Sequence, residues 1–256
     1  MMVKKQVKIS AVIITFNEEK NIGRCLDSLQ KVADEIVVVD SCSNDKTCEI
    51  CEKYGVRFIQ NRFKGHIEQK NFAMQQAEYD WVLSLDADEV LSLELTDSIL
   101  KVKKDWVIDG YAFNRLTNYC GTWIRHCRWY PDTKLRLWDK RRGRWGGVNP
   151  HDRLIMDDRS QAGHLKGNLL HYSYHTIKEH VDQINSFSDI AAMEAFKNGR
   201  KPNFLIDILL NPPFAFLKKY IIKLGFMDGY YGFVISIHTA YGKFLKYVKL
   251  KELFRK

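Results

Sequence analysis

The first strongly patterned stretch, Val7 to Phe16 (VKISAVIITF), is a β-branched apolar run that stops at Asn17-Glu18-Glu19 and predicts a buried strand. Ile22, Cys25, Leu26 and Leu29 then recur at helical spacing. Glu35 to Asp40 (EIVVVD) reads as a second buried strand, followed by the polar loop Ser41 to Asp45 and a short helix ending near Gly55. Val56 to Gln60 predicts a third strand, Ile67 to Ala77 a third helix, and Asp80 to Leu85 a fourth strand. Alternation of this kind implies a mostly parallel, Rossmann-like sheet with helices on both faces.

From Gly110 the rhythm changes. Gly110 to Tyr119, Thr133 to Trp138, His151 to Met156 and His164 to Ser173 are strand-like segments separated by turn residues. Thr176-x-x-Glu179 is a capping-box signature, and the apolar positions behind it predict a helix to about Lys197. Phe204 to Leu210 reads as helix up to Asn211-Pro212-Pro213, and a last helical segment runs from Phe214 to the end, interrupted at Gly225, Gly229 and Gly232. The expected class is α/β with a C-terminal helical extension. The boundary falls near residue 200, so residues 1–200 form the main domain, with halves 1–109 and 110–200, and 201–256 the extension.

Composition supports one large core, since 45% of the 256 residues are hydrophobic. The net charge of +9 is informative once located. Residues 1–196 carry 28 basic and 28 acidic residues, and residues 197–256 carry 12 and 3, so the tail holds the whole excess. Within it Lys243 to Lys256 (KFLKYVKLKELFRK) spaces Phe244, Leu245, Tyr247, Val248, Leu250, Leu253 and Phe254 roughly as a helix does. We expect this basic amphipathic stretch to lie on an anionic membrane surface, with a homo-oligomer interface as the rival use of the same stripe. Charged residues break every apolar run before the roughly 18–20 residues needed to span a bilayer. Nucleic acid is not expected as a partner, because the charge does not extend over the main domain. No secretory signal is read ahead of the six cysteines, so reduced thiols and a cytoplasmic location are expected. Cys48-x-x-Cys51 lacks a second pair to complete a zinc site and also fits one turn of ordinary helix.

Asp86-Ala87-Asp88-Glu89 follows the fourth strand directly, at the carboxyl end of a parallel sheet, where such folds bind ligands. In extended chain residues i and i+2 point the same way, so Asp86 and Asp88 can share a cation. Two carboxylates with a diphosphate suit Mn²⁺ or Mg²⁺. The plainer alternative is a solvated acidic turn capping a helix that begins near Ser92.

Taken together, SAVIITFNEEKNIGRCLDSL from Ser10, EIVVVDSCSNDKT from Glu35, WVLSLDADE from Trp81, KLRLW from Lys134, VNPHD from Val148 and HYSYHT from His171 resemble the family 2 glycosyltransferases of the GT-A fold. The likeness is greatest to the bacterial branch acting on lipopolysaccharide core and related surface glycans. It implies an inverting, metal-assisted transfer of a hexose from a nucleotide-diphosphate sugar, a UDP-sugar, to a glycolipid or oligosaccharide acceptor at the inner face of the cytoplasmic membrane. It also implies roles: Thr15 and Glu18 against the nucleoside, Asp40 accepting from a uracil-type base, Lys70 near the base or phosphates, Asp86 beside the ribose, and Asp88 as the direct metal ligand. Family members carry a carboxylate pair or His-Glu in the second half, and here His151-Asp152 occupies that place, making Asp152 the implied general base. His171 matches a late histidine that completes the metal site. Each has a bland counterpart: a snorkelling helix lysine for Lys70, a polar turn residue for Asp152, a structural hydrogen-bonder for His171. Arg125, Arg128, Arg136, Arg141, Arg142 and Arg144, with Trp123, Trp129, Tyr130, Trp138 and Trp145, read either as an acceptor surface for a phosphorylated glycolipid or as a basic hairpin.

Two rival functions remain at this point. A sugar nucleotidyltransferase also uses carboxylate-bound Mg²⁺ but would want an early Gly-rich loop, where this chain has Thr15-Phe16-Asn17-Glu18-Glu19. A non-catalytic RNA-binding or membrane-adaptor protein would spread its positive charge over the main domain.

Overall fold

The computed structural model describes residues 6–148 and 151–255, with the backbone alone for His151. Asn149 and Pro150 of the Val148 motif therefore lie outside the described residues. The first half alternates as its periodicity demands: β1 (Ile9–Thr15), α1 (Ile22–Leu29), β2 (Glu35–Asp40), α2 (Thr47–Lys53), β3 (Arg57–Gln60), α3 (His66–Gln76) and β4 (Trp81–Asp86). The four strands are parallel in the order β3-β2-β1-β4. Helical crossovers are what parallel neighbours require. Side-chain alternation sorts the two faces. Ile9, Ala11 and Ile13 pack with Ile22, Leu26 and Leu29 of α1, whereas Val12 packs with Val37, Val39 and Ala73 of α3.

Next come β5 (Glu89–Leu91), α4 (Leu93–Lys104), β6 (Gly110–Tyr119), β7 (Thr122–Ile124), β8 (Asp132–Asp139), β9 (Gly143–Val148), β10 (His151–Met156) and β11 (Ala162–Tyr174). The main sheet continues from β4 as β8-β6-β11-β5, with β8 antiparallel to β4 and β5 antiparallel to β11. The turn at Arg141-Arg142 does not close a hairpin with β8. β9 instead pairs with β10 in a separate two-stranded sheet, which sets Asp152 opposite Gly147.

Two registers matter for function. Ile14 of β1 lies against Asp86 and Thr15 against Asp40, so the strand-end residues meet at one edge. His171 of β11 lies against Glu89 of β5. β11 is held there because Ser92 caps α4 and also accepts from the Asn168 backbone N–H at 3.0 Å. Gly167, at φ +97°, makes the approach feasible, since a Cβ would overlap the Leu95 backbone.

One compact unit holds the described residues up to Arg115 together with Asp132 to His171, and a second holds Leu116–Pro131 and the chain from Tyr172 onward. In the second, α5 (Ile177–Lys197) opens with the expected reciprocal capping box between Thr176 and Glu179. Helical turns of π type over 204–210 and 218–222 flank α6 (Asn211–Leu217), and a 3₁₀ turn over Gly225–Asp228 leads into α7 (Gly229–Leu253). Gly232 does not interrupt α7; it lets α7 pass the Gly225 carbonyl, where a Cβ would collide. Ala192, Ala195, Ile208, Tyr247 and Leu250 form one core cluster of this unit, and Tyr119, Ile124, Cys127 and Ile235 another. Among the described residues, no helix is long and apolar enough to cross a membrane.

Candidate active site

Lys70, expected as a solvated helix lysine or a ligand contact, is 3% exposed on α3. Its ammonium lies 3.1 Å from Asp86 and 2.8 Å from Asp152, and sits 4.6 Å over the Trp145 ring. The neighbouring Asn71 explains why β9 and β10 arrive there. Its amide donates to the Trp145 carbonyl at 2.9 Å and accepts from the Trp145 N–H at 3.0 Å, clamping β9 to α3. A carboxylate from the end of β4 and one from β10 thus share one buried cation.

Arg136, on β8, neutralises the other side. It reaches Asp86 at 3.1 Å and the fully buried Glu89 at 3.2 Å, and Arg115 pairs with Glu89 at 3.4 Å and Asp132 at 2.8 Å. Burial alone would raise the Asp86 carboxyl, but Lys70 and then Arg136 outweigh it and hold it well below the usual carboxylate range. Burial would likewise lower the Arg136 guanidinium, and Glu89, Asp86 and Asp152 reverse that. Even so, Arg136 Nε and Nη1 and the Trp145 indole N–H are buried without hydrogen-bond partners in the described residues. Orphaned donors of this kind call for an acceptor. Arg136 and Trp145 line a cavity of about 550 Å³ together with Lys70, Asp86, Arg115, Asp152 and Arg153, a wall suited to an anion.

Asp88 takes a different direction from Asp86. Its carboxylate lies 3.0 Å from His171 Nε2. These two expected metal ligands do meet, while Asp86 is committed to cations. No group of three or more His, Cys, Asp or Glu that could hold a metal occurs among the described residues. Glu18 stands nearby: burial first, then Asp88, Asp45 and Asp86, push its carboxyl up to about 7 against a hydrogen bond from Asn21. Thr15 is buried with its hydroxyl unpartnered. Asp40 is fully buried, and its carboxylate accepts from the Ser43 N–H at 2.7 Å and from the Ser43 hydroxyl. It braces the Ser41–Asp45 loop, and each carboxylate oxygen keeps a further lone pair.

The model for the family described as glycosyl transferase family 2 matches residues 10–156, more than half of the chain. The chain belongs to glycosyltransferase family 2. Consistently, an uncharacterized glycosyltransferase of Rickettsia typhi is 34% identical over 96% of this chain and 87% of its own length. The lipopolysaccharide core biosynthesis glycosyltransferase LpsC of Rhizobium meliloti is 28% identical over 96% of this chain and 93% of its own. A mannosyltransferase of Pyrobaculum calidifontis, solved with GDP-mannose and Mn²⁺, covers 98% of this chain and 88% of that one at 14% identity with a TM-score of 0.55, a likeness of fold. The fold of this family 2 glycosyltransferase is GT-A, and the nucleotidyltransferase and adaptor readings are set aside.

In this glycosyltransferase the structure brings together Lys70, Asp86 and Asp152 on one cavity and Asp88 with His171 beside it. Of the six arginines raised from the sequence, Arg136 alone lines that cavity. Trp138 is fully buried and unavailable to stack on a sugar. Glu89 was read as part of the acidic motif but not as the buried partner of Arg136 and Arg115, and Arg115 was not singled out in the sequence. The alternation in Lys134-Leu-Arg-Leu-Trp138 carried a usable signal, because it puts Arg136 on the strand face opposite Leu135 and Leu137.

Proposed function

We propose that the chain transfers a hexose such as glucose, with inversion, from a UDP-sugar to a glycolipid or lipopolysaccharide-core-type acceptor. The observation that carries this reading is Lys70 tying the strand-end Asp86 to Asp152 on one cavity wall. The lipopolysaccharide core relative supports the acceptor class.

The acceptor hydroxyl gives its proton to Asp152, and its oxygen forms the new bond to the anomeric carbon. The bond from that carbon to the diphosphate breaks on the opposite face, and the electron pair leaves with the nucleotide. Arg136, with two unpartnered donors, and Lys70 receive the diphosphate. Once Lys70 turns to phosphate, its hold on Asp152 weakens and the carboxylate is available as base. Thr15, Glu18 and Asp40 line the nucleoside side and Asp86 the ribose.

Asp88 and His171 fit a divalent cation, Mn²⁺ or Mg²⁺, because a carboxylate oxygen and an imidazole nitrogen already converge there and donor phosphates can supply the remaining ligands. When bound, the cation adds positive charge at the departing diphosphate. Residues 1–109 serve mainly the donor and 110–200 mainly the acceptor, with Arg136 and His171 reaching from the second half to the donor diphosphate and its cation, and the helices of 201–256 hold the enzyme peripherally on the anionic inner face of the cytoplasmic membrane.

Thermal unfolding with a panel of nucleotide sugars tests the reading. A UDP-sugar should stabilise the protein only with Mn²⁺ or Mg²⁺ present, by about 2.7 kcal/mol at a hundredfold excess over Kd. Stabilisation by another nucleotide sugar alone would overturn the donor, and stabilisation that survives chelation would overturn the cation.

A further inference from the structure

In residues 211–222, which span α6 and the π-type turn after it, no residue is buried. The sequence there is NPPFAFLKKYII. Phe214 is 60% exposed and Ile222 63%, and the same holds on either side for Ile206 at 60% and Met227 at 58%. Single exposed apolar residues are ordinary, but a contiguous run marks an interface.

Charge indicates what covers it. The two acids between 201 and 230 both turn inward. Asp207 accepts from the Asn203 N–H and pairs with Arg200, and Asp228 accepts from the backbone N–H groups of Arg125 and His126, leaving their side chains 10% and 5% exposed. Lys219 is half-buried, and its ammonium turns inward to donate to the Cys127 carbonyl at 2.8 Å. Lys201 and Lys218 are exposed and Lys223 half-buried. The outward surface therefore offers apolar side chains and ammonium groups without a carboxylate. Symmetric pairing with a second copy would set this cationic patch against itself. An anionic bilayer supplies acyl chains for one component and phosphates for the other.

We propose that residues 204–227 form a wedge lying in the plane of an anionic membrane at the boundary between headgroups and acyl chains, with Lys201, Lys218 and Lys223 at the phosphates. The inference rests on the membrane part of the reading above and is independent of the sugar chemistry. It moves the membrane contact away from Lys243–Lys256, where Tyr247 and Leu250 are already buried in the core of the second unit.

Sedimentation of the full chain with phosphatidylglycerol-rich and pure phosphatidylcholine vesicles tests it. Ile206→Ser/Ile222→Ser should lower partitioning into the anionic vesicles by roughly tenfold or more, and Phe244→Ser/Val248→Ser by less than about threefold. Lys201→Gln/Lys218→Gln should erase much of the preference for anionic lipid, and Phe214→Trp should be quenched by lipids brominated in the upper acyl chain. Equal loss from the two serine pairs, or a larger loss from the α7 pair, would overturn the wedge. So would a lipid-free dimer, seen by sedimentation velocity, that Ile206→Ser/Ile222→Ser dissociates. Donor-dependent thermal stabilisation of the same variants reports separately on the sugar-transfer reading. It should match the wild type, which also shows that these exposed substitutions leave the fold intact.

Discussion

At the carboxyl edge of the parallel strands, charge is buried: Lys70 and Arg136 are each 3% exposed and Glu89 not at all. Over residues 204–227 the opposite inversion holds, and phenylalanine, leucine and isoleucine face outward. Both reverse the usual sorting of side chains, and each reversal underlies one of the proposed partners. The buried ions are arranged around a cavity with donors left over, which suits a diphosphate. The exposed apolar surface carries lysines and, among its own residues, no outward carboxylate, which suits the proposed lipid. The energetics should differ as sharply, since removing one member of a buried ionic set strands its partners, whereas an exposed side chain can be exchanged with little cost to folding.

The largest expected effect follows from that contrast. Lys70→Met leaves Asp86 and Asp152 without their shared cation and should destabilise the protein by about 3–5 kcal/mol in urea unfolding. Adding Asp86→Asn should recover part of the loss, and strictly additive effects would mean that the pair is not coupled. Asp88→Asn, at a partly exposed side chain, should spare stability but lower metal-dependent transfer by roughly 10²-fold or more. Transfer rates that match the wild type across a manganese titration would remove Asp88 from the metal site.

Glu18 gives a smaller effect with a defined sign. Its folded-state pKa of about 7 lies above the ordinary value of 4.5, so the folded protein holds the proton more tightly than the unfolded chain. Stability therefore falls as pH rises from 4.5 to about 7, and the cost is complete above that. Glu18→Gln should leave stability unchanged at low pH and raise it by about 1–2 kcal/mol in mildly alkaline buffer, because solvent at the half-buried carboxyl screens part of the effect. A difference that does not vary with pH would contradict the environment described. The smallest effect should come from the exposed Arg144: Arg144→Ala should change stability by less than about 0.5 kcal/mol and transfer by less than about twofold, in contrast to Arg136.

The strands and helices up to β4 were legible because their apolar runs are long and periodic. The acids at strand ends were legible for a related reason, since Val37-Val38-Val39 and Val82-Leu83 mark where the core stops. Three short strands escaped. β5 and β7 have three residues each, too few to show alternation, and β9 is rich in glycine. The plainer alternative of a solvated turn fails at β5, where pairing with β11 buries Glu89. Lys70, Arg115 and Arg136 lie far apart in the chain, so no local pattern could show them converging on Asp86 and Glu89. In the tail the amphipathic spacing of Lys243–Lys256 drew attention to α7. Residues 204–222 (FLIDILLNPPFAFLKKYII) carry apolar residues in runs without a single polar face, which concealed from the sequence that they would remain uncovered.

The central claim is that Asp152, held by Lys70, removes the acceptor proton. The direct measurement compares Asp152→Asn with the wild type in two assays, UDP-sugar binding by thermal stabilisation and single-turnover transfer to acceptor. Binding within about threefold of the wild type, with transfer slowed by roughly 10²- to 10⁴-fold, is the expected result. Transfer at the wild-type rate with binding intact would contradict it and place the base on another residue.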